Sequence, residues 1–315
     1  LGKASGFDAQ MDLSKLDGSN GFRLDGAVGS GGSVSNAGDV NGDGFDDVII
    51  SANYRDPNDQ SNFVSSYVVL GKASGFDAQM DLSKLDGSNG FRLVDTAYAG
   101  LGMLVSSAGD INGDGFDDVI VGAEGAGPNG YFSGSSYIVF GKATGFDARM
   151  DLSDLDGSNG FRVDGESEFD NLGRSVSGAG DVNGDGYGDV IVGAWAADHN
   201  GYRSGSSYVV FGKASGFDAS MNLSSLNGTN GFRLDGVAQD DFSGMLVSGA
   251  GDVNGDGFDD VIVSATGADP NGDNSGSSYV VFGRASGFAA QMDLSSLDGS
   301  NGFRLDGAVR GIGRA

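Results

Sequence analysis

Nine residues, Asp39-Val40-Asn41-Gly42-Asp43-Gly44-Phe45-Asp46-Asp47, set four carboxylates and an amide side by side. Carboxylates this close repel one another, so the stretch calls for positive charge at its centre. Oxygen-bearing side chains fall at loop positions 1, 3, 5 and 9, with a glycine at 6 for a sharp turn. The same spacing opens an EF-hand loop, where positions 1, 3, 5 and the carbonyl of 7 converge on Ca2+. An EF-hand also needs a glutamate at position 12 and flanking helices. Position 12 here is Ile50, inside a β-branched run, so the loop belongs in a β-hairpin and Asp47 takes the closing role. Four side chains and one carbonyl, with a bidentate carboxylate or a water, reach the six to eight oxygens that Ca2+ takes. Mg2+ is stricter about octahedral geometry, and transition metals favour His or Cys.

The loop returns three times, with first aspartates at 39, 110, 181 and 252 and therefore 71 residues apart. Asn-Gly and Asp-Gly are also common hairpin turns, so one copy alone would be ambiguous. Four copies whose positions 1, 3, 5 and 9 never vary point to a ligand set. It comprises Asp39, Asn41, Asp43 and Asp47 with the Phe45 carbonyl, and Asp110, Asn112, Asp114 and Asp118 with Phe116. It continues with Asp181, Asn183, Asp185 and Asp189 with Tyr187, and with Asp252, Asn254, Asp256 and Asp260 with Phe258. Position 8 is Asp46, Asp117 and Asp259 but Gly188 in the third copy, and is left outside the set. About four Ca2+ are expected, one per complete repeat. Four dications would move the formal charge from −26 to −18.

Other chemistry is thinly represented. There is no cysteine, and His199, the one histidine, sits in a Gly/Asn-rich loop where a solvated side chain is expected. A Ser–His–Asp triad would depend on that residue alone. Aspartate pairs suited to glycoside hydrolysis are better explained as metal ligands. Trp195 with Tyr202 suits either sugar stacking or core packing. The residues lean away from an enzyme, with no catalytic group assigned. The excess of 44 acidic over 18 basic residues disfavours nucleic acid and anionic membranes and favours cations. No apolar run approaches the ~18 residues of a membrane span.

A second block travels with the loop: Gly2 begins GKASGFDAQMDLSKLDGSNGFRL, and close copies begin at Gly71, Gly141, Gly212 and Gly283. The chain is thus a unit of about 71 residues present four times, with partial copies at both ends. The expected division is 1–26 as the end of one blade, blades at 27–96, 97–165, 166–236 and 237–306, and 307–315 opening the next. The start, LGKASGF, and the close, GAVRGIGRA, read as cuts within a longer protein.

Each unit reads as four short strands bounded by Gly, Asn or Asp. In the second copy they are Met103–Ala108, Val119–Ala123, Ser135–Phe140 and, after a long connection, Phe161–Asp164. The first strand is rich in small residues, as where backbones crowd. The second and third are continuous apolar runs suited to cover on both faces. The fourth alternates, as in Phe22-Arg23-Leu24-Asp25, which predicts a half-exposed outer strand with the arginines on the wet side. Crowded, covered, then wet describes a propeller blade from axis to rim. The expected fold is all-β: a propeller of four-stranded antiparallel blades. A calcium-binding β-helix would repeat every nine residues with a GGxGxD signature, which is absent. Met80–Leu85 suits one helical turn in the long connection. Antiparallel order places the acidic 1–2 loop and the 3–4 block at one end, and the 2–3 and 4–1 connections at the other. The latter differ between copies, as in 125–132 against 196–203, so that face is the candidate for a ligand.

The stretch Leu172-Gly-Arg-Ser-Val-Ser-Gly-Ala-Gly-Asp-Val-Asn-Gly-Asp-Gly-Tyr-Gly-Asp-Val-Ile-Val-Gly-Ala194 resembles an FG-GAP repeat, the blade unit of integrin α-subunit propellers and of many secreted or surface bacterial proteins. The resemblance covers nearly the whole chain. It implies Ca2+ at the matched loop positions and an extracellular or cell-surface adhesion or recognition module. It also admits the propeller portion of a secreted phospholipase- or glycan-acting hydrolase whose catalytic residues lie elsewhere. A protein or glycan would be the partner. The "FG" is Leu172-Gly173 or Leu101-Gly102, and is Ser243-Gly244 in the last copy. The "GAP" lacks its proline, as in Gly193-Ala194-Trp195, Gly122-Ala123-Glu124, Ser51-Ala52-Asn53 and Ser264-Ala265-Thr266. Family propellers commonly have seven blades, which at this repeat length would need roughly 500 residues. An open or incomplete propeller is therefore expected.

Overall fold

The computed structural model describes residues 10–26, 30–55, 62–95, 104–214, 216–285 and 287–308. Leu101-Gly102, most of the 54–61 connection and both chain ends fall outside them. The described residues are β-strands joined by loops and five single 3-10 turns. Each turn has the same local cause. The preceding Asp or Asn (Asp12, Asp81, Asp151, Asn222, Asp293) accepts the N–H of the serine two residues on, which caps the turn.

Four blade sheets follow one another along the chain, beside a two-stranded sheet of Arg23–Asp25 with Gln79–Asp81. In the third, Leu172–Gly180 pairs with Asp189–Ala194, that with Ser206–Val210, and that with Gly231–Asp235, all antiparallel. The first strands of the four sheets pack side by side in chain order, and among the described residues no comparable packing joins the fourth to the first. The blades form an open arc.

The core lies between blades, which explains the continuous apolar runs. Along the second blade Val119, Val121, Tyr137 and Val139 turn towards the first blade. The alternate residues Ile120, Ile138, Phe161 and Val163 turn towards the third. Period-two side chains thus meet a neighbour on both faces.

Two expectations need correction. Three of the four blades have five strands. The long connection contributes Arg149–Asp151, Ser220–Asn222 and Gln291–Asp293, each adding in parallel to the outer strand of the preceding blade. Gln79–Asp81 does the same to Arg23–Asp25. The fourth strands are accordingly not half-exposed: Gly90–Val94, Gly160–Asp164 and Gly231–Asp235 are largely buried, and Arg233 is buried against Asp235. Alternation predicts a wet edge only when nothing further pairs with it. Here the next repeat covers the edge.

Candidate functional site

Each acidic loop is a hairpin wound on its own carboxylates. In the first, Asp39 Oδ1 accepts the N–H of Asp43 (3.0 Å) and Oδ2 that of Gly44 (2.8 Å). Asn41 Oδ1 also accepts the Asp43 N–H, and Asn41 Nδ2 donates to Asp43 Oδ2 at 3.1 Å. Asp43 Oδ1 accepts the N–H of Phe45. The same bonds recur around Asp110, Asp181 and Asp252. Positions 1, 3, 5 and 7 are thereby drawn into one turn at the surface.

Position 9 behaves differently. Asp47, Asp118, Asp189 and Asp260 have no accessible surface. Asp118 Oδ2 accepts the N–H of Ile111 (2.9 Å) and its Oδ1 that of Gly141 (2.8 Å). It ties the acidic loop to the start of the 3–4 connection, and its three counterparts do likewise. Burial pushes these carboxyls up, to about 6 at Asp47 and about 8 at Asp118 and Asp189, and raises Asp260 as well. The aspartates at positions 1 and 5 push in the same direction, and only the two N–H bonds oppose them. Among the described residues no three acidic side chains are gathered into a single coordination sphere. Positions 1, 3 and 5 are brought together, while position 9 lies beneath them.

The donors nonetheless suit a hard dication. They are all oxygen, and each carboxylate oxygen in an N–H bond keeps a second lone pair. No lysine or arginine pairs with them among the described residues. A Ca2+ bound here would be held by positions 1, 3, 5 and 9 and the carbonyl of 7. It would supply positive charge where burial and crowding disfavour the carboxylates.

Two residues at the loop do work that its spacing does not reveal. Position 8 is a link between blades: Asp117 Oδ2 accepts the N–H of Asp39 and Asp259 Oδ2 that of Asp181, both at 2.8 Å. Gly188, lacking the carboxylate, keeps only the backbone bond from its N–H to Asp110 O. The aromatic ring at position 7 covers the loop glycine of the preceding blade. Phe116, Tyr187 and Phe258 lie on Gly42, Gly113 and Gly184 so closely that a Cβ on any of these glycines would overlap the ring. Sequence spacing reports neighbours along the chain, and both partners here are 70 or more residues away.

The opposite end is built from the 2–3 and 4–1 connections, as the strand order implies. Phe169 N–H donates to Tyr131 O and Asn171 N–H to Phe132 O; Asp240 and Phe242 donate likewise to Tyr202 and Arg203. These bonds hold non-glycine residues in the left-handed region: Phe132 (φ 55°), Phe169 (68°), Arg203 (51°) and Asp240 (61°). Such backbone persists where its surroundings over-determine it. Tyr131, Phe169 and Tyr202 are exposed on this face. Tyr131 meets Phe132 and Phe169 edge-on. The Arg203 guanidinium lies over Tyr202 and Trp195, and Trp195 also packs on Phe242.

His199 is not the solvated side chain expected from its loop. The residue lies at the surface, but its side chain is 24% exposed and tethered, with Nδ1 3.1 Å from Ser206 Oγ and Nε2 3.4 Å from Glu166 Oε2. Arg233 reaches the same Glu166 at 3.3 Å. Burial pushes the Glu166 carboxyl up, but His199 and Arg233 outweigh it and leave it below its ordinary value. Burial raises the nearby Asp170 to about 6. Ser206 is fully buried and donates to Asp235. The cluster knits a 4–1 connection to a blade and presents no open hydroxyl for nucleophilic attack.

The family model for the FG-GAP repeat matches four segments, 30–69, 104–139, 172–210 and 244–281. Each spans the first three strands of a blade and its acidic loop. Among curated proteins, the chain is 32% identical to integrin alpha pat-2 of Caenorhabditis elegans over 195 residues, covering 58% of this chain and 14% of that one. It is 34% identical to integrin alpha-V of Gallus gallus over 164 residues, or 51% of this chain and 14% of that one. With integrin alpha-4 of Xenopus laevis the identity is 30% over 165 residues, again 51% and 14%. The aligned part spans about a seventh of these relatives.

Proposed function

Because this chain belongs to the FG-GAP repeat family, with integrin α-subunits among its relatives, we propose that it is a Ca2+-binding extracellular adhesion or recognition module. One observation carries the metal: each blade repeats an all-oxygen acidic turn above a buried aspartate that has no basic side-chain partner among the described residues. Ca2+ would hold the inner hairpin of each blade and stabilise the scaffold. Recognition of a protein or glycan would fall to the far face, where exposed Tyr131, Phe169 and Tyr202 stand on a hydrogen-bonded backbone. Aromatic and arginine side chains on a rigid support suit a binding surface. Localisation at the cell surface or in the extracellular space follows from the same kinship.

The test is thermal unfolding in Ca2+ and in chelator, with the bound metal counted. A ligand that binds only the folded chain raises the melting temperature. At ~100 times the dissociation constant each site contributes about 2.7 kcal/mol, and four sites together a large shift. An unchanged melting temperature, or one metal per chain in place of four, refutes the reading.

A further inference from the structure

Three equivalent residues of the 2–3 connections stand in the left-handed region: Phe132 (φ 55°), Arg203 (51°) and Asn274 (50°). The turn around them is the same in each blade, with Ser133, Ser204 and Ser275 donating their N–H groups to Gly130, Gly201 and Gly272 O at 3.1, 3.0 and 3.0 Å. Asn adopts this backbone readily, whereas bulky side chains are disfavoured there. The second and third blades nevertheless place Phe and Arg at it, against local preference, and such an outlier points to what the side chain does. Repeats whose acidic loops keep the same residues at positions 1, 3, 5 and 9 diverge at this turn. Trp195, Tyr202 and Arg203 of the third blade stand where the second has Glu124, Tyr131 and Phe132 and the fourth has Thr266, Asp273 and Asn274.

The Arg203 guanidinium is held by rings. Its centre lies 4.9 Å from the Tyr202 ring centroid and 5.7 Å from that of Trp195, and Trp195 is backed by Phe242 at 5.8 Å. Arg23, Arg149, Arg162, Arg174, Arg233 and Arg304 each reach a carboxylate, but Arg203 reaches none among the described residues. Two aspartates of the adjoining loop segments are engaged otherwise. Asp198 Oδ1 accepts the backbone N–H of Arg203 at 2.6 Å, and Asp240 Oδ2 accepts Gln239 Nε2 at 3.1 Å. Stacking uses the face of a guanidinium and leaves its N–H edge, which matches a carboxylate bidentately. Arg203 is half-buried, and Tyr202 beside it is 54% exposed.

We propose, on the footing that the far face is the recognition surface, that Arg203 receives an Asp or Glu side chain of a protein partner while the exposed Tyr202 ring takes an apolar residue beside it. In a chain with 44 acidic and 18 basic residues, an arginine without a carboxylate is the exception, and the partner supplies the missing charge. A neutral sugar would leave that charge unmatched. Trp, Tyr and Arg are also the residues that dominate binding energy between proteins.

Selection from a random heptapeptide display library on the immobilised 315-residue chain in Ca2+ tests this, with Arg203→Asn as the paired target. Asn is the residue that the fourth blade carries at the same φ, so the variant keeps the turn. The wild-type chain should recover peptides enriched in Asp or Glu beside an aromatic residue or leucine, and the variant should not. A chain of net charge −26 gathers basic peptides non-specifically, so acidic enrichment requires a local site. Trp195 is the sole tryptophan, and its fluorescence follows the binding of a recovered peptide. Replacing the Asp or Glu of that peptide by Asn or Gln should weaken binding about tenfold or more. Arg203→Lys, which keeps the charge without the fork, should weaken it as well. No acidic enrichment, recovery of the same peptides on Arg203→Asn, or equal affinity for the amide peptide overturns the proposal. Neutral peptides that move the Trp195 fluorescence overturn it while leaving recognition at the far face standing. An oligoglucuronate that moves Trp195 where acidic peptides do not overturns it too. The Ca2+ reading is tested apart from all of these, by the melting temperature.

Discussion

The motif Asp-Leu-Ser occurs in four of the five long connections, and two copies of it offer a test with its own control. Leu152 packs under Phe91, Leu93, Phe146 and Met150 and is 2% exposed. Leu13, in the same local sequence and the same capped turn, stands open to solvent. Truncating Leu152 to alanine removes about three methylene-sized groups, worth about 2.4 kcal/mol at about 0.8 kcal/mol each. The cavity left between two blades adds to this, for a total of about 2–5 kcal/mol. Leu13→Ala should stay within about 0.5 kcal/mol. Urea unfolding in Ca2+ at low protein concentration measures both, with circular dichroism and Trp195 fluorescence compared to check that the blades unfold together. Hydrogen exchange localises the effect. The Arg92 amide donates to Ala148 O across the same contact, so Leu152→Ala should speed its exchange and Leu13→Ala should not. Equal losses from the two substitutions, or a loss below about 0.5 kcal/mol at Leu152, would show that the added strand does not bury what its geometry implies.

Three other perturbations follow from the same geometry. Gly113→Ala puts a Cβ into the Tyr187 ring, whereas Gly255→Ala meets nothing at a similar φ; thermal melts should show the first costing about 1–3 kcal/mol more, the strain of overpacking. Asp117→Ala removes the acceptor for the Asp39 N–H and should cost about 1 kcal/mol by chemical unfolding, while Asp46→Ala, whose side chain is exposed, should be neutral. Burial raises Asp170 from 3.8 to about 6, so the folded chain holds that proton more tightly than the unfolded one. The stability it contributes is complete below pH 3.8 and is lost as pH rises through about 6, a fall of about 3 kcal/mol. Asp170→Asn keeps an acceptor for the Ser167 N–H and should flatten that slope; an unchanged pH profile of stability would count against the burial argument.

What the sequence determined by itself is whatever depends on nearby residues. Loop spacing, the 71-residue period and runs of β-branched residues are local patterns, and they specified four blades and four acidic hairpin loops opening at Asp39, Asp110, Asp181 and Asp252. The capped turn at Leu13–Lys15 and its four counterparts is local in the same sense, since an Asp or Asn side chain reaches only its own backbone. The tertiary structure decided which of these local pieces find a partner. Asp117 and Asp46 share a loop position, yet among the described residues Asp117 accepts the N–H of Asp39 in the neighbouring acidic loop while Asp46 is exposed. Phe91-Arg92-Leu93 and Phe303-Arg304-Leu305 are the same tripeptide, the one buried and the other on an open edge. His199 is tethered by Glu166, 33 positions back, and through Ser206 by Asp235, 36 positions on. Burial is a property of what lies across a contact and not of the residue making it, so identical stretches reach opposite environments according to whether another blade stands beside them.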